Sequence, residues 1–163
     1  MDSGALYNLT AFSMCAHNGT HIDAPRHFIA DGGAVDEMPL ESTVGEAFVC
    51  AFDGDMDAPG ARRVLARAEG IPRILLKGTA VISPEAAQEF AAAGVRLIAS
   101  ESQSVGDENA PMAVHQILLS AKVALLEGVR LNGVEEGRYL LCAQPLKLKG
   151  ADGAPCRALL IEM

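Results

Sequence analysis

The sequence has no tryptophan, five phenylalanines and two tyrosines, so its interior has to be built mainly from Leu, Val, Ile and Ala. It also lacks any CxxC pair: Cys15, Cys50, Cys142 and Cys156 are scattered, which excludes a zinc ribbon. No apolar run approaches the roughly 20 residues that a membrane span needs, and the opening MDSGALYNLT has no basic start followed by an apolar stretch. Cytoplasm is therefore the expected compartment, with no membrane partner. Positive charge is short as well, with 13 Lys and Arg against 21 Asp and Glu and a net charge of −8. Clustered cations that would grip a phosphate backbone are missing, so nucleic acid is excluded as a partner.

What is present is ordinary for a compact protein: 163 residues, 50% hydrophobic and 21% charged. That length buries an adequate core without disulfides, and the expectation is one domain over residues 1–163. Cys50 in FVCAF and Cys142 in YLLCAQ sit in apolar, strand-like runs, where a free thiol behaves as a small hydrophobe. Cys15 lies close to a histidine cluster, where a ligand role is the less expected of two readings.

Residues 5–16 (ALYNLTAFSMCA) mix β-branched, aromatic and polar types and read as a strand leading into the histidine-bearing segment. Residues 17–45, rich in Gly, Pro, Asp and His, read as a long structured loop, a length that usually signals function. EAFVCAF (46–52) reads as a strand, DGDMDAPG (53–60) as turn chemistry, ARRVLARAEG (61–70) as a helix closed by Gly, and RILL (73–76) as a buried strand. Ser83 caps a helix with Pro84 at its first position, Glu85 in its first turn and Gly94 beyond its end. Strand 95–99, loop 100–111, helix 112–122 and strand 123–127 come next, and 138–148 pairs with 157–162 about a turn at 151–155. Short helices alternating with short apolar strands make an α/β layered domain with a mixed sheet.

Three of the four histidines fall in one stretch, His17-Asn18-Gly19-Thr20-His21-Ile22-Asp23-Ala24-Pro25-Arg26-His27. Alternate residues of an extended segment face one side, so His17, His21 and Asp23 share a face, with Gly19 between them leaving the space open. Imidazole nitrogen and carboxylate oxygen are the donors expected of zinc or manganese. Pro25 interrupts strand pairing and lets His27 turn away from that set, where its ordinary pKa near 6.5 suits proton transfer. A lone loop histidine is ordinarily a surface or capping residue, but three interleaved with Asp and Gly point to a metal site. His115 lies at the edge of the apolar stripe Val114, Ile117, Leu118, Ala121, and Glu127 closes the run VALLE. Taken alone, each reads as structural: a helix-flank histidine and a strand-end carboxylate facing solvent.

The stretch HNGTHIDAPRHF resembles the signature of the metal-dependent cyclase-like hydrolase family, which includes bacterial kynurenine formamidases and isatin hydrolases. The similarity continues through DGGAVDEMPLE (31–41), ISPEAAQEFAAAGVRLIA (82–99), SVGDENAPMAVHQILLSAKVALLEG (104–128) and GVEEGRYLLCAQPLKLKGADGAPCRALL (133–160). It implies a swivelling β/β/α fold. It implies that His17, His21 and Asp23 hold one metal, that Asp23 bridges to a second held by His115 and Glu127, and that His27 is the catalytic acid/base. Two Zn2+ or Mn2+ ions per chain, a small-molecule substrate and a homodimer or higher homo-oligomer are implied with them. The implied reaction is hydrolysis of a small amide, formamide, lactam or ester/lactone. Water whose pKa a metal lowers from about 15.7 toward 7 attacks the carbonyl.

The chain departs from the family pattern in three places. It begins almost at the strand before the motif, where family members carry several dozen more residues. The stretch between LLKGT (75–79) and ISPEAA (82–87) is shortened, and Glu101 stands where an Asp is common. The missing segments help wall the pocket in relatives. The alternative expectation is therefore a catalytically impaired, metal-stabilised small-molecule binding protein, and a metal-dependent lyase or cyclase would use the same site.

Overall fold

The computed structural model describes Gly4 and residues 6–163. The strands of its main sheet are, in chain order, β1 (His21–Asp23), β2 (Val44–Ala51), β4 (Arg73–Lys77), β6 (Leu97–Ser100), β7 (Ala124–Glu127), β8 (Gly137–Cys142), β9 (Gly153–Pro155) and β10 (Leu159–Glu162). These eight lie side by side in the order β10-β8-β2-β4-β6-β7-β1-β9. A separate parallel pair, β3 (Gly54–Met56) and β5 (Ala80–Ile82), lies outside the sheet. The helices are the single turn α1 (Leu40–Thr43), then α2 (Ala58–Ala68), α3 (Pro84–Ala92) and α4 (Met112–Ser120).

Strands β2, β4, β6 and β7 run parallel, as helical crossovers require, while β8 and β1 join antiparallel at either side. Both faces of these parallel strands are covered, which explains their unbroken apolar runs. Phe48, Cys50, Ile74, Leu76, Ile98 and Leu125 face the helices, packing with Val64, Phe90 and Leu118. The alternate residues Ala47, Val49, Leu75, Leu97, Ala99 and Leu126 face the other way, onto Ile22, Val129, Leu131 and Leu141. That second cluster draws on both ends of the sheet, which curls over its own face.

The helices begin where the sequence indicates. Asp57 accepts a hydrogen bond from the Gly60 amide at 2.8 Å, and Ser83 accepts one from the Ala86 amide at 3.2 Å. Helix α2 ends through Glu69 and Gly70, both at positive φ (50° and 86°), and Gly94 follows α3 at φ 71°.

Four expectations change. Residue 5 lies outside the described residues, and residues 6–16 form no strand: Leu6, Tyr7, Leu9 and Phe12 are 67–91% exposed. Apolar alternation makes a strand only where a partner supplies the hydrogen bonds. The stretch 53–60 holds β3 and the first turn of α2 rather than a turn alone, because β5 pairs with β3 from far along the chain. Residues 153–155 of the expected turn are instead β9, antiparallel to β1, and β8 stops at Cys142. Within α4 the buried stripe is Val114, His115, Leu118 and Leu119, so His115 faces inward rather than lying at the edge.

Candidate metal centre

Strand β1 is flanked by two antiparallel neighbours, and this arrangement builds the site. His21 and Asp23, two apart, project to one face, while Ile22 enters the core on the other. In the β1–β7 register His21 lies directly opposite Glu127, so their side chains share that face. Helix α4 brings His115 over the same point. The result is a dry cluster: His21, Asp23, His115 and Glu127 are each no more than 3% exposed.

His17 arrives by a different route from the one its spacing suggests. It sits in a turn rather than in an extended strand, and the chain reverses at Gly19, whose φ is 70°. A Cβ on Gly19 would meet nothing within 4 Å, so the glycine supplies left-handed backbone rather than space. Gly153 supplies the space instead: a Cβ there would stand 2.6 Å from His17 Cε1 and 2.7 Å from the Ile22 carbonyl oxygen.

The two oxygens of Asp23 face two different groups. Oδ1 lies 2.7 Å from His17 Nδ1 and 3.3 Å from His21 Nε2. Oδ2 lies 3.7 Å from His115 Nε2. Glu127 closes the second group, with Oε1 3.2 Å from His115 Nε2 and Oε2 3.4 Å from His21 Nε2. Ligand atoms of His17, His21 and Asp23 fall within 4.8 Å of one another, as do those of Asp23, His115 and Glu127. Such separations are close to what two bonds of about 2.0–2.2 Å to one cation span.

The outer ring nitrogens are tied to backbone carbonyls, which turns the inner ones toward the carboxylates. His21 Nδ1 donates to the Gly19 carbonyl at 2.9 Å, and His115 Nδ1 donates to the Pro111 carbonyl at 2.9 Å. A carbonyl only accepts, so each Nδ1 carries a proton, and Nε2, which faces the carboxylates, is the nitrogen that would bind a metal once the metal displaces its own proton. The Val105 amide donates to Glu127 Oε1 at 2.9 Å. Asp23 Oδ2 is buried with no hydrogen-bond partner among the described residues. An all-N/O donor set with an orphaned carboxylate oxygen at its centre fits a divalent cation.

The protein's own charges make the same point. Hydrogen bonding to Asp23 raises the His17 pKa to about 9, against the opposing effect of burial. Burial alone would lower His21, yet hydrogen bonds to Asp23 and Glu127 raise it to about 10. Burial would raise Asp23, but His17 and His21 hold it well below the usual carboxylate range. The buried carboxylates thus demand positive charge, from protons or from a metal.

His27 occupies the 3-10 turn Pro25–His27, where Pro25 is the first residue. Its Nε2 lies 4.0 Å from Asp23 Oδ2, and its ring stacks on His17 at 3.9 Å. Its Nδ1 donates to Asp152 Oδ2 at 3.1 Å, and His17 Nε2 donates to the same oxygen at 2.9 Å. Asp152 was not identifiable as a site residue from the sequence. It sits in a Gly- and Asp-rich stretch indistinguishable from an ordinary turn, and only the β9–β1 pairing brings it alongside. Cys15 is exposed and joins none of the donor groups found among the described residues.

A cavity of about 250 Å3 opens onto the cluster, lined by Phe28, Gln103, Ser104, Glu108 and Pro111 together with the histidines and Glu127. The Phe28 ring covers His115 at 4.6 Å. A larger cavity of about 460 Å3 lies behind Pro25 and Ile29, against the end of α4. No candidate metal ligand lines it, so the smaller cavity is where chemistry can occur. None of the helices of the described residues is long and apolar enough to cross a membrane.

An α/β domain with a curled mixed sheet and a buried His/Asp/Glu centre is the architecture of a metal-dependent enzyme. Residues 3–107 match the family model described as putative cyclase. Over 175 residues the chain is 35% identical to the kynurenine formamidase of Erythrobacter litoralis (strain HTCC2594), covering 100% of this chain and 81% of that protein. It is 35% identical to the kynurenine formamidase of Salinibacter ruber (strain DSM 13855 / M31), with 94% and 79% covered. Among solved structures, a potential metal-dependent hydrolase with cyclase activity superposes with a TM-score of 0.81 at 30% identity, covering 91% of this chain and 80% of that one. Isatin hydrolase A from Ralstonia solanacearum shares the fold, with a TM-score of 0.83 at 23% identity and 98% and 78% covered. The chain belongs to the cyclase family of metal-dependent hydrolases.

Proposed function

We propose that this chain hydrolyses a small amide, formamide or lactam, with esters and lactones as related substrates, using two divalent ions. Its relatives at 35% identity are formamidases by name, and it is a hydrolase of C–N amide bonds. His17, His21 and Asp23 would hold one ion, and Asp23, His115 and Glu127 the other. The observation that carries this reading is the division of the Asp23 carboxylate, with Oδ1 toward His17 and His21 and Oδ2 toward His115. Zinc or manganese in such a donor set supplies Lewis acidity, making water a nucleophile near neutral pH and stabilising charge on a carbonyl oxygen.

The remaining chemistry belongs to the protein. Asp152 fixes the His27 tautomer, with the proton on Nδ1, so Nε2 faces the cluster as a base. Nε2 takes a proton from the attacking water and returns it to the leaving nitrogen, which departs as a neutral amine. Phe28 and Pro111 wall the pocket, excluding bulk water and seating an apolar group. A purely binding protein has no need of the His27–Asp152 couple, which favours catalysis. The reading also includes a homo-oligomeric assembly, which light scattering checks.

The test is to strip the protein with chelator, reload it with zinc or manganese, and assay formanilides, cyclic imides and lactones. Turnover should return with metal. His27→Ala should lose most of it, by about 10²- to 10⁴-fold, with metal content unchanged. Absence of turnover across the whole panel would refute the proposal.

A further inference from the structure

Three buried side-chain atoms lack a hydrogen-bond partner among the described residues: Asp23 Oδ2, Arg73 Nε and Ser104 Oγ. The first lies at the centre of the donor cluster. The second belongs to a guanidinium whose other nitrogens bond the carbonyls of Glu46 and Glu41, at the opposite end of the parallel strands. Ser104 is different. It is 8% exposed, and it lines the 250 Å3 cavity beside His115 and Glu127.

Native proteins rarely bury a hydroxyl unpaired, because the group has given up its bonds to water and received nothing in return. The two residues that follow Ser104 are held in place. The Val105 amide donates to Glu127 Oε1, the Ile82 amide donates to the Val105 carbonyl, and Gly106 packs against Val114, where a Cβ would stand 3.1 Å from the Val114 Cβ. The backbone at 104 is therefore held from its C-terminal side, while no hydrogen bond among the described residues fixes the hydroxyl. Rotation about χ1 between staggered positions carries Oγ around the Cβ, toward the cavity that the residue lines. A hydroxyl offers one donor and two acceptor positions, which suits a group presenting both C=O and N–H.

We propose that Ser104 is a substrate-contacting residue, its hydroxyl hydrogen-bonding the amide group of a substrate seated in the metal cavity. This deepens the amide-hydrolase reading and rests on it. Loss of a hydrogen bond made only to the ligand weakens binding or turnover and leaves the folded protein no poorer. Removing a buried, unpaired hydroxyl even relieves the free protein. Ser104→Ala therefore separates a substrate role from a structural one.

The experiment compares Ser104→Ala with the parent chain in three readouts: kcat/KM on formanilide with zinc or manganese, Kd for benzohydroxamate on the metal-loaded protein, and Tm of the metal-free protein. The expected result is a roughly 10- to 100-fold fall in kcat/KM and a matching weakening of benzohydroxamate, with Tm unchanged or higher. Both kcat/KM and Kd within twofold of the parent overturn the inference while leaving the amide-hydrolase reading intact. A Tm that falls by several degrees, or a variant that does not fold, assigns Ser104 a structural role and overturns it too. Should the parent turn over none of the panel, the hydrolase reading fails by itself, and the benzohydroxamate comparison alone decides whether Ser104 contacts ligand.

Discussion

Asp152 offers a quantitative test of how the centre is held. One of its oxygens receives hydrogen bonds from His17 Nε2 at 2.9 Å and His27 Nδ1 at 3.1 Å, joining a proposed metal ligand to the proposed base. Hydrogen bonds to a charged group are worth about 1.5–3 kcal/mol each when well shielded. The Asp152 side chain is 46% exposed, so water competes and the lower end applies, about 1–1.5 kcal/mol per bond. At about 1.4 kcal/mol per factor of ten, Asp152→Ala should weaken metal at the His17 group about tenfold. It should lower kcat about tenfold through the freed His27 ring, in line with the roughly 10- to 100-fold typical of residues behind metal ligands. Asp152→Asn keeps an acceptor oxygen without the charge and should fall between the parent and the alanine variant. Competition with a chromophoric chelator reads the affinity, and steady-state kinetics read the rate. If both stay within twofold in Asp152→Ala, then neither imidazole depends on the carboxylate, and the account of how they are oriented is wrong.

Three further outcomes rest on the same geometry. Asp23→Ala should lose both ions by element analysis, since its two oxygens face two groups; one full equivalent retained would contradict a bridging carboxylate. In the metal-free protein, His17 and His21 have folded pKa values of about 9 and about 10 against an ordinary 6.5. Their stabilisation is thus complete below about pH 6.5 and is lost as pH rises through 9 to 10, while the depressed Asp23 carboxyl loses its share as pH falls below about 4. Thermal unfolding across pH should show Tm declining on both sides, and an alkaline limb that stays flat would mean the imidazoles do not carry the charge assigned to them. Leu118→Ala, in a fully buried α4 position, should cost about 2–5 kcal/mol by denaturant titration, and a loss under about 1 kcal/mol would mean that α4 does not anchor the helical face.

Much of this was open to reading in the chain itself. The helix starts at Asp57 and Ser83 are local chemistry, a short side chain reaching an amide three residues on, and local chemistry survives in any fold. The histidine stretch was legible for the same reason, because His17, His21, Asp23 and His27 are close in sequence and remain close in space. The apolar runs of β2, β4, β6 and β7 announced strands buried on both faces.

Other features exist only through pairing between distant segments. Residue-level reading left His115 and Glu127 as structural, and only the family resemblance joined them to the cluster; the structure brings them there through the β1–β7 register and the inward face of α4. Asp152 and Ser104 fall in stretches that resemble the family, but nothing in them singled either residue out: one is an acid in a glycine-rich stretch, the other a serine in a loop. Of the strand expected over 5–16, the described residues 6–16 form none, because a suitable pattern does not by itself make a strand. Sequence determined which donor atoms the protein owns and where its chain turns. Only the tertiary structure decided which of them meet, because hydrogen-bond register and burial are properties of two segments together and cannot be read from either alone.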